Sequence, residues 1–172
     1  TKESDNDEFT EAVVKPVDPL PANVPNYVTP EGARRLREKL RRLIDEEKPA
    51  LEVQASGRQG GDGALANESK TKARKKLAEV TARIQFLESH IGRFQIVDGR
   101  QQRADTVRFG ARVTVMDTEG DERTYLICGV DESEPGTGAV SWISPIAKVL
   151  LGHKIGDEVT LQLPRGKQLL EI

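Results

Sequence analysis

Apolar positions recur with helical spacing through the middle of the chain, then switch to strand spacing after residue 94. Leu36, Leu40 and Leu43 stand four and three residues apart, which places them on one stripe of a helix. Leu77, Val80, Ile84, Leu87 and Ile91 follow at three, four, three and four, the heptad seam of a coiled coil. Thr29-Pro30-Glu31 reads as a start signal: a capping hydroxyl, a proline at the first helical position and an acid at the positive end of the dipole. Pro49 predicts a kink rather than a stop, because Ala50 to Val53 stays compatible with helix. Gly57, Gly60, Gly61 and Gly63 break the first helix, and Gly92 ends a second that begins near Ala64. Two long helices joined by a short glycine-rich loop must run antiparallel.

Beyond Phe94 the period falls to two. Arg112 to Met116 alternates, Asp117 to Asp121 has turn chemistry, and Thr124 to Val130 reads as the partner strand. Ala139 to Ile143 predicts another strand, Pro145 to Leu151 a short helix, and Glu158 to Leu163 a strand. Pro164 to Lys167 then turns into a last strand ending at Ile172. The expected fold class is α+β: an N-terminal antiparallel helical coiled-coil hairpin, then an antiparallel sheet domain with one short helix. The expected division is an arm over 1–28, a hairpin over 29–93 with its tip near 57–66, and a C-terminal domain over 94–172. Prolines at 16, 19, 21 and 25 forbid a regular helix in the arm, which reads as disordered or extended.

Composition changes this picture little, but charge does. The 172 residues carry 26 Lys or Arg against 28 Asp or Glu, a total too balanced to imply nucleic acid or membrane by itself. The distribution is uneven. Residues 29–93 hold 15 basic against 10 acidic side chains, between an acidic arm and an acidic C-terminal part. No run approaches the ~20 apolar residues that span a bilayer. The acidic start is unlike a secretory signal, and the lone Cys128 excludes an internal disulfide, so a reducing cytoplasm is expected.

Candidate chemistry is sparse. His90 and His153 lack ligand-spaced partners, so zinc is not expected. Cys128 reads as a buried small hydrophobe, and Trp142 as part of the small domain's core or rim. The glycines at 57–63 lack the Gly-Lys-Ser/Thr of a phosphate loop. Arg58, Lys70, Lys72, Arg74, Lys75 and Lys76 form a basic run about the tip, which is either a solvated helix surface or a contact for phosphate.

Several blocks resemble the Gre family of bacterial transcript-cleavage factors, nearest to the B-type. They are NYVTPEGARRLREKL, with its Thr-x-x-Gly start; EEKPALEV, with the proline kink; QIVDG; VRFGARVTV; and SPIAKVLLGHKIGDEV, the most specific. The resemblance runs in order over residues 27–172. It implies a C-terminal domain of the FK506-binding-protein-like fold that docks on RNA polymerase at its secondary channel, which the coiled coil enters. Docking would fall on Ile143, Ser144 and Pro145, where the family often has an acid in place of Ile143. Ser144-Pro145 is otherwise a plain turn before a helix. A basic patch on the family's coiled coil contacts transcript RNA, so the same cations are candidates for that role here. Bacterial RNA polymerase is the implied partner of an expected monomer.

Cleavage-competent members carry Gly-Asp-x-x-Glu-Asn-Ala-x-Tyr at the tip, where the Asp and Glu help hold a second Mg²⁺ in the polymerase. Hard oxygen ligands suit that ion, and a second metal can activate water. Aligned on Asn67, the Asp position is Gly63, the Glu position Ala66 and the Tyr position Lys70; Asp62 falls one residue early and Glu68 lies beyond. One residue turns a helical side chain by about 100°. The expectation is therefore a polymerase-binding regulator with impaired or absent cleavage stimulation and no cofactor of its own. Asp62 and Glu68 are the candidate tip acids, and Asp62 the candidate Mg²⁺ ligand, of the alternative, an active stimulator. Their bland roles are a polar turn that caps the second helix and a first-turn acid. Prolyl isomerisation, which the fold invites, would need an aromatic-lined pocket built from Phe94, Phe109, Tyr125 and Trp142.

Overall fold

The computed structural model describes residues 20–57, 63–102 and 105–172. They form two units, one over 41–86 and one joining 20–40 to 87–172. Arg58 and Asp62, two of the candidate tip residues, lie outside the described residues, as do residues 1–19 of the arm. Within the arm, residues 20–28 are described; Leu20 is buried, and Asn26–Val28 forms strand β1.

The first unit is a pair of helical arms, the stretches of the helices below that fall within 41–86. Helix α1 (Pro30–Arg42) runs into a π-helical segment (Leu43–Glu47), then α2 (Lys48–Ser56). Helix α3 (Ala64–Ile91) returns over 28 residues, ~42 Å of helix. The arms are antiparallel: Gly57 lies against Lys70, while Glu47 stands 3.7 Å from Lys76 further down. Of the expected seam, Val80, Ile84, Leu87, Leu36 and Leu43 are buried while Leu77, Ile91 and Leu40 are half-buried, and Ala73, Leu51 and Ala55 join the buried stripe nearer the tip.

Pro49 does not act alone. Its ring and missing N–H disfavour a regular turn around Asp45, and the backbone widens there, with Lys48 N–H donating to Leu43 C=O five residues back. Leu43 and Leu51 are eight residues apart, which in a regular helix would set them about 80° apart. A turn that absorbs one extra residue reduces the offset to about 20°, so Leu51 and Ala55 rejoin the stripe of Leu43. The sequence signalled the kink but not this change of register.

The second unit holds a five-stranded sheet of order β5-β4-β3-β7-β6. Its strands are β3 (Arg112–Asp117), β4 (Glu122–Cys128), β5 (Ala139–Ser141), β6 (Glu158–Leu163) and β7 (Gly166–Glu171), with α4 (Pro145–Leu150) between β5 and β6. Inward residues alternate as the pattern requires: Val113 and Val115, then Val159 and Leu161. They pack with Ile127, Leu170 and the Ala147 and Leu150 side chains of α4 into one core. Two pairings depart from a wholly antiparallel pattern. The loop over 129–138 is long enough to carry the chain back, so β5 lies parallel to β4. β1 also pairs in parallel with β2 (Phe94–Ile96), the segment just after α3. No helix is long and apolar enough to cross a membrane among the described residues.

Candidate functional site

Within the second unit, a buried polar joint ties the start of α1 and the end of α3 to the loop after β4. Thr29 caps α1 as its sequence predicts: its Oγ1 accepts the Gly32 N–H at 3.0 Å. The Glu132 carboxylate, only 8% exposed, sits against that cap. It accepts the Thr29 N–H at 2.9 Å, the Gly129 N–H at 2.8 Å and the Thr29 hydroxyl. A negative group at a helix N-terminus is favoured by the dipole as well as by these donors. The approach is so close that a Cβ on Gly32 would overlap the Glu132 carboxylate, so a larger residue there would push Glu132 off its donors.

Asp131, next in the same loop, takes the other contacts. Asn26 Nδ2 donates to it at 3.0 Å, and His90 Nδ1 at the end of α3 lies 2.8 Å from both its oxygens. A carboxylate only accepts, so the imidazole proton is on Nδ1. His90 and Asn26 are each 1% exposed. Sequence reasoning set His90 aside for want of metal partners, and no group that could hold a metal occurs among the described residues. It missed the joint. The one available signal was Thr29-x-x-Gly32, in which hydroxyl and missing side chain both serve Glu132; nothing in the polar loop marked Asp131 or Glu132 as its partners.

The corner at Ile143, Ser144 and Pro145 is rigid. Ser144 is extended and caps α4 by accepting the Ala147 N–H at 3.3 Å, with Pro145 in the first turn. Its N–H donates to Ser141 C=O at 2.9 Å, and the Ile143 N–H to Ser141 Oγ at 3.3 Å. Ala147 and Leu150 on the inner face are fully buried, whereas Pro145 is exposed and Ile143 half-buried. The corner is thus a fixed, solvent-facing shape anchored by its own helix.

At the tip, α3 begins with Ala64, Leu65, Ala66 and Asn67; Leu65 is 83% exposed. Glu68 is exposed and paired with Lys72 at 2.8 Å. The cations do not share one stripe. Lys70 and Arg74 fall on one side of α3, Lys72 and Lys76 on another, and Lys75 between them, so the run wraps the helix. Lys70 lies against Gly57 and Lys76 reaches Glu47.

Elsewhere in the second unit, burial and the Glu132 charge push the Cys128 thiol up to about 12, so it stays protonated and packs as a small hydrophobe. The Asp157 carboxyl is held below its usual range, chiefly by the Lys154 N–H it accepts at 2.8 Å. Phe109 and Trp142 both pack on Tyr27, with ring centroids at 5.8 and 5.2 Å. That stacking uses the rings an isomerase pocket would require. A cavity of about 600 Å³ lies beside them, and Phe109 is its only aromatic lining among the described residues.

Comparison with known proteins fits this geometry. A family model described as "Transcription elongation factor, GreA/GreB, C-term" matches residues 101–172, and one described as "Transcription elongation factor, N-terminal" matches residues 26–96. The transcription elongation factor GreA of Desulfovibrio desulfuricans is 35% identical over 146 residues, 84% of this chain and 90% of that protein. GreB of Neisseria meningitidis serogroup B is 33% identical over 148 residues, 86% of this chain and 91% of its own. Relatives of both types thus match at similar identity, which does not separate an A-type from a B-type. Among solved structures, GreA factor homolog 1 of Thermus thermophilus is 24% identical, with a TM-score of 0.40, covering 86% of this chain and 96% of its own.

Proposed function

This chain belongs to the GreA/GreB family of transcription elongation factors, and from that premise we propose that it binds bacterial RNA polymerase in the cytoplasm and modulates elongation without effective stimulation of transcript cleavage. In this reading the Ile143-Ser144-Pro145 corner docks at the secondary channel and the hairpin enters it. The chain performs no chemistry of its own; a competent relative only assists the polymerase's own metal-dependent cleavage. Arg58, Lys70, Lys72, Arg74, Lys75 and Lys76 serve as contacts for transcript phosphate, a role that suits the spread of the α3 cations around the side of the helix turned away from Ala73.

One observation carries the loss of cleavage. Ala66 occupies the position of the family's tip glutamate, and a methyl group offers no lone pair to a metal. Glu68, beyond that position, is engaged with Lys72. Stalled, backtracked complexes with Mg²⁺ test the reading. The wild-type chain should bind core polymerase yet leave transcripts uncut. Transcript shortening that disappears in Asp62→Ala would install the alternative, an active tip using Asp62 and Glu68. Gly63→Asp with Ala66→Glu should restore cleavage, since a side chain at Gly63 meets no atom within 4 Å. Ser144→Ala with Pro145→Ala should weaken polymerase binding by about tenfold, the equivalent of ~1.4 kcal/mol; unchanged binding would remove the corner from the interface.

A further inference from the structure

The 600 Å³ cavity lies wholly within the second unit. Arg100, Arg108, Arg112 and Lys154 line it, together with Phe109, Ala111, Val113 and the 88%-exposed Ile155. This concentration of positive charge is local: residues 94–172 as a whole carry 9 basic against 12 acidic side chains. Arg100 is shared with Asp98 at 3.1 Å. Arg108 and Arg112 have no carboxylate partner among the described residues, and Asp105 is the one acidic side chain that lines the cavity there.

Backbone contacts fix the walls. The Val107 N–H donates to His153 C=O at 2.8 Å and the Gly152 N–H to Val107 C=O at 2.9 Å, which clamps the segment of Arg108 and Phe109 to the turn before Lys154. The Gly110 N–H donates to Ile127 C=O at 2.8 Å, and the Ile127 N–H to Ala111 C=O at 2.9 Å. The turn that carries Arg100 touches the same segment, since a Cβ on Gly99 would stand 3.1 Å from the Gly110 backbone. The cavity is preformed, so a ligand need not order its backbone.

Size and charge select the occupant. Cavities of about 300–1,000 Å³ hold small molecules, whereas docked proteins bury about 800 Å² on each partner. A long polyanion would meet the net negative field of the surrounding domain. A compact one would not, and guanidinium groups match phosphate oxygens two at a time. Exposed apolar and aromatic side chains beside those cations suit a planar base. Asp105 only accepts hydrogen bonds, which fits the hydroxyl and amine donors of a nucleoside rather than phosphate. We propose that this cavity binds a nucleoside polyphosphate, with its phosphates on Arg100, Arg108, Arg112 and Lys154, its base against Phe109 and Ile155, and its ribose or base donors on Asp105. Occupancy neutralises the cavity and covers Ile155, so the second unit presents a different surface with and without nucleotide.

Titration of ATP into the full chain without Mg²⁺, followed by amide NMR and calorimetry, tests the site. At about 0.1 M salt, where the Debye length is ~10 Å, shifts should centre on residues 105–113 and 154–155 with a Kd on the order of 0.1 mM. Arg108→Ala with Arg112→Ala should weaken binding by about tenfold or more. Arg112→Lys keeps the charge but loses the paired geometry and should weaken binding by about threefold. Pyrophosphate, which has the charge without the base, should bind about tenfold more weakly than ATP. Ile155→Ala, at a position too exposed to disturb the core, should weaken ATP by about threefold and leave pyrophosphate unchanged. Equal binding of ATP and pyrophosphate, shifts that centre on residues 70–76 of α3, or no shift at about 10 mM ATP overturns the proposal. So does binding that survives the paired arginine substitutions, or tighter binding of a single-stranded oligonucleotide or an acidic peptide at the cavity. The titration contains no polymerase, so its outcome is independent of the transcript-cleavage test.

Discussion

The helical rod and the sheet domain solve burial in different ways. Over residues 41–86 of the rod the buried apolar residues form one stripe, and the deepest, Ala73, is still 4% exposed. In the sheet domain Ile127, Ala147 and Leu150 are fully enclosed, because a strand face and a helix cover each other. A two-helix rod has no third layer, so its cohesion is local and its surface is left for charge. The sheet domain can hold a loop rigid, and even enclose carboxylates, because its core supports the backbone around them.

Mutations should separate the two. Leu150→Ala empties a fully enclosed site and should cost ~4 kcal/mol, lowering Tm by roughly 10 °C in a thermal melt. Glu132→Ala leaves the Thr29 and Gly129 N–H groups without their acceptor and should cost ~3 kcal/mol by denaturant titration. A loss below ~1 kcal/mol would mean that water replaces the carboxylate and the joint is not a structural element. Ile84→Ala, on the rod's single stripe, should cost ~2 kcal/mol, at the low end for its type; a loss equal to that of Leu150→Ala would erase the distinction drawn here. A smaller effect is one of shape. Asp157 has a depressed folded-state pKa, so its stabilisation is complete above the ordinary carboxylate value of about 3.9 and lost as pH falls through the folded value. In Asp157→Asn the decline in stability as pH falls below about 4 should be shallower. Smallest of all, Glu68→Ala removes an exposed pair at 2.8 Å and should change stability by less than ~0.5 kcal/mol.

The same contrast explains what the sequence revealed. Helix α3 was legible to its ends, because Leu77 to Ile91 repeat a period and Gly92 stops it. The strands were legible because Val113 and Val115, or Val159 and Leu161, alternate. Periodicity is a local signal and survives in a single sequence. The joint was not legible, since Asn26, His90, Asp131 and Glu132 lie up to 106 positions apart and each alone resembles an ordinary polar residue. The parallel placement of β5 was equally hidden, because strand spacing does not encode which neighbour a strand chooses. At the tip the break between the arms was legible from its glycines, since α2 ends at Ser56 and α3 begins at Ala64.

The π turn at Leu43–Glu47 makes the two arms of the hairpin count differently. The outgoing arm carries one more residue than its seam needs, so it works like a vernier scale. Removing a single residue from that turn would leave an ordinary helix with the same stripe and shift the tip lengthwise by a fraction of a turn. Residue number along the outgoing arm can therefore change by one while the buried stripe of Leu43, Leu51 and Ala55 is kept.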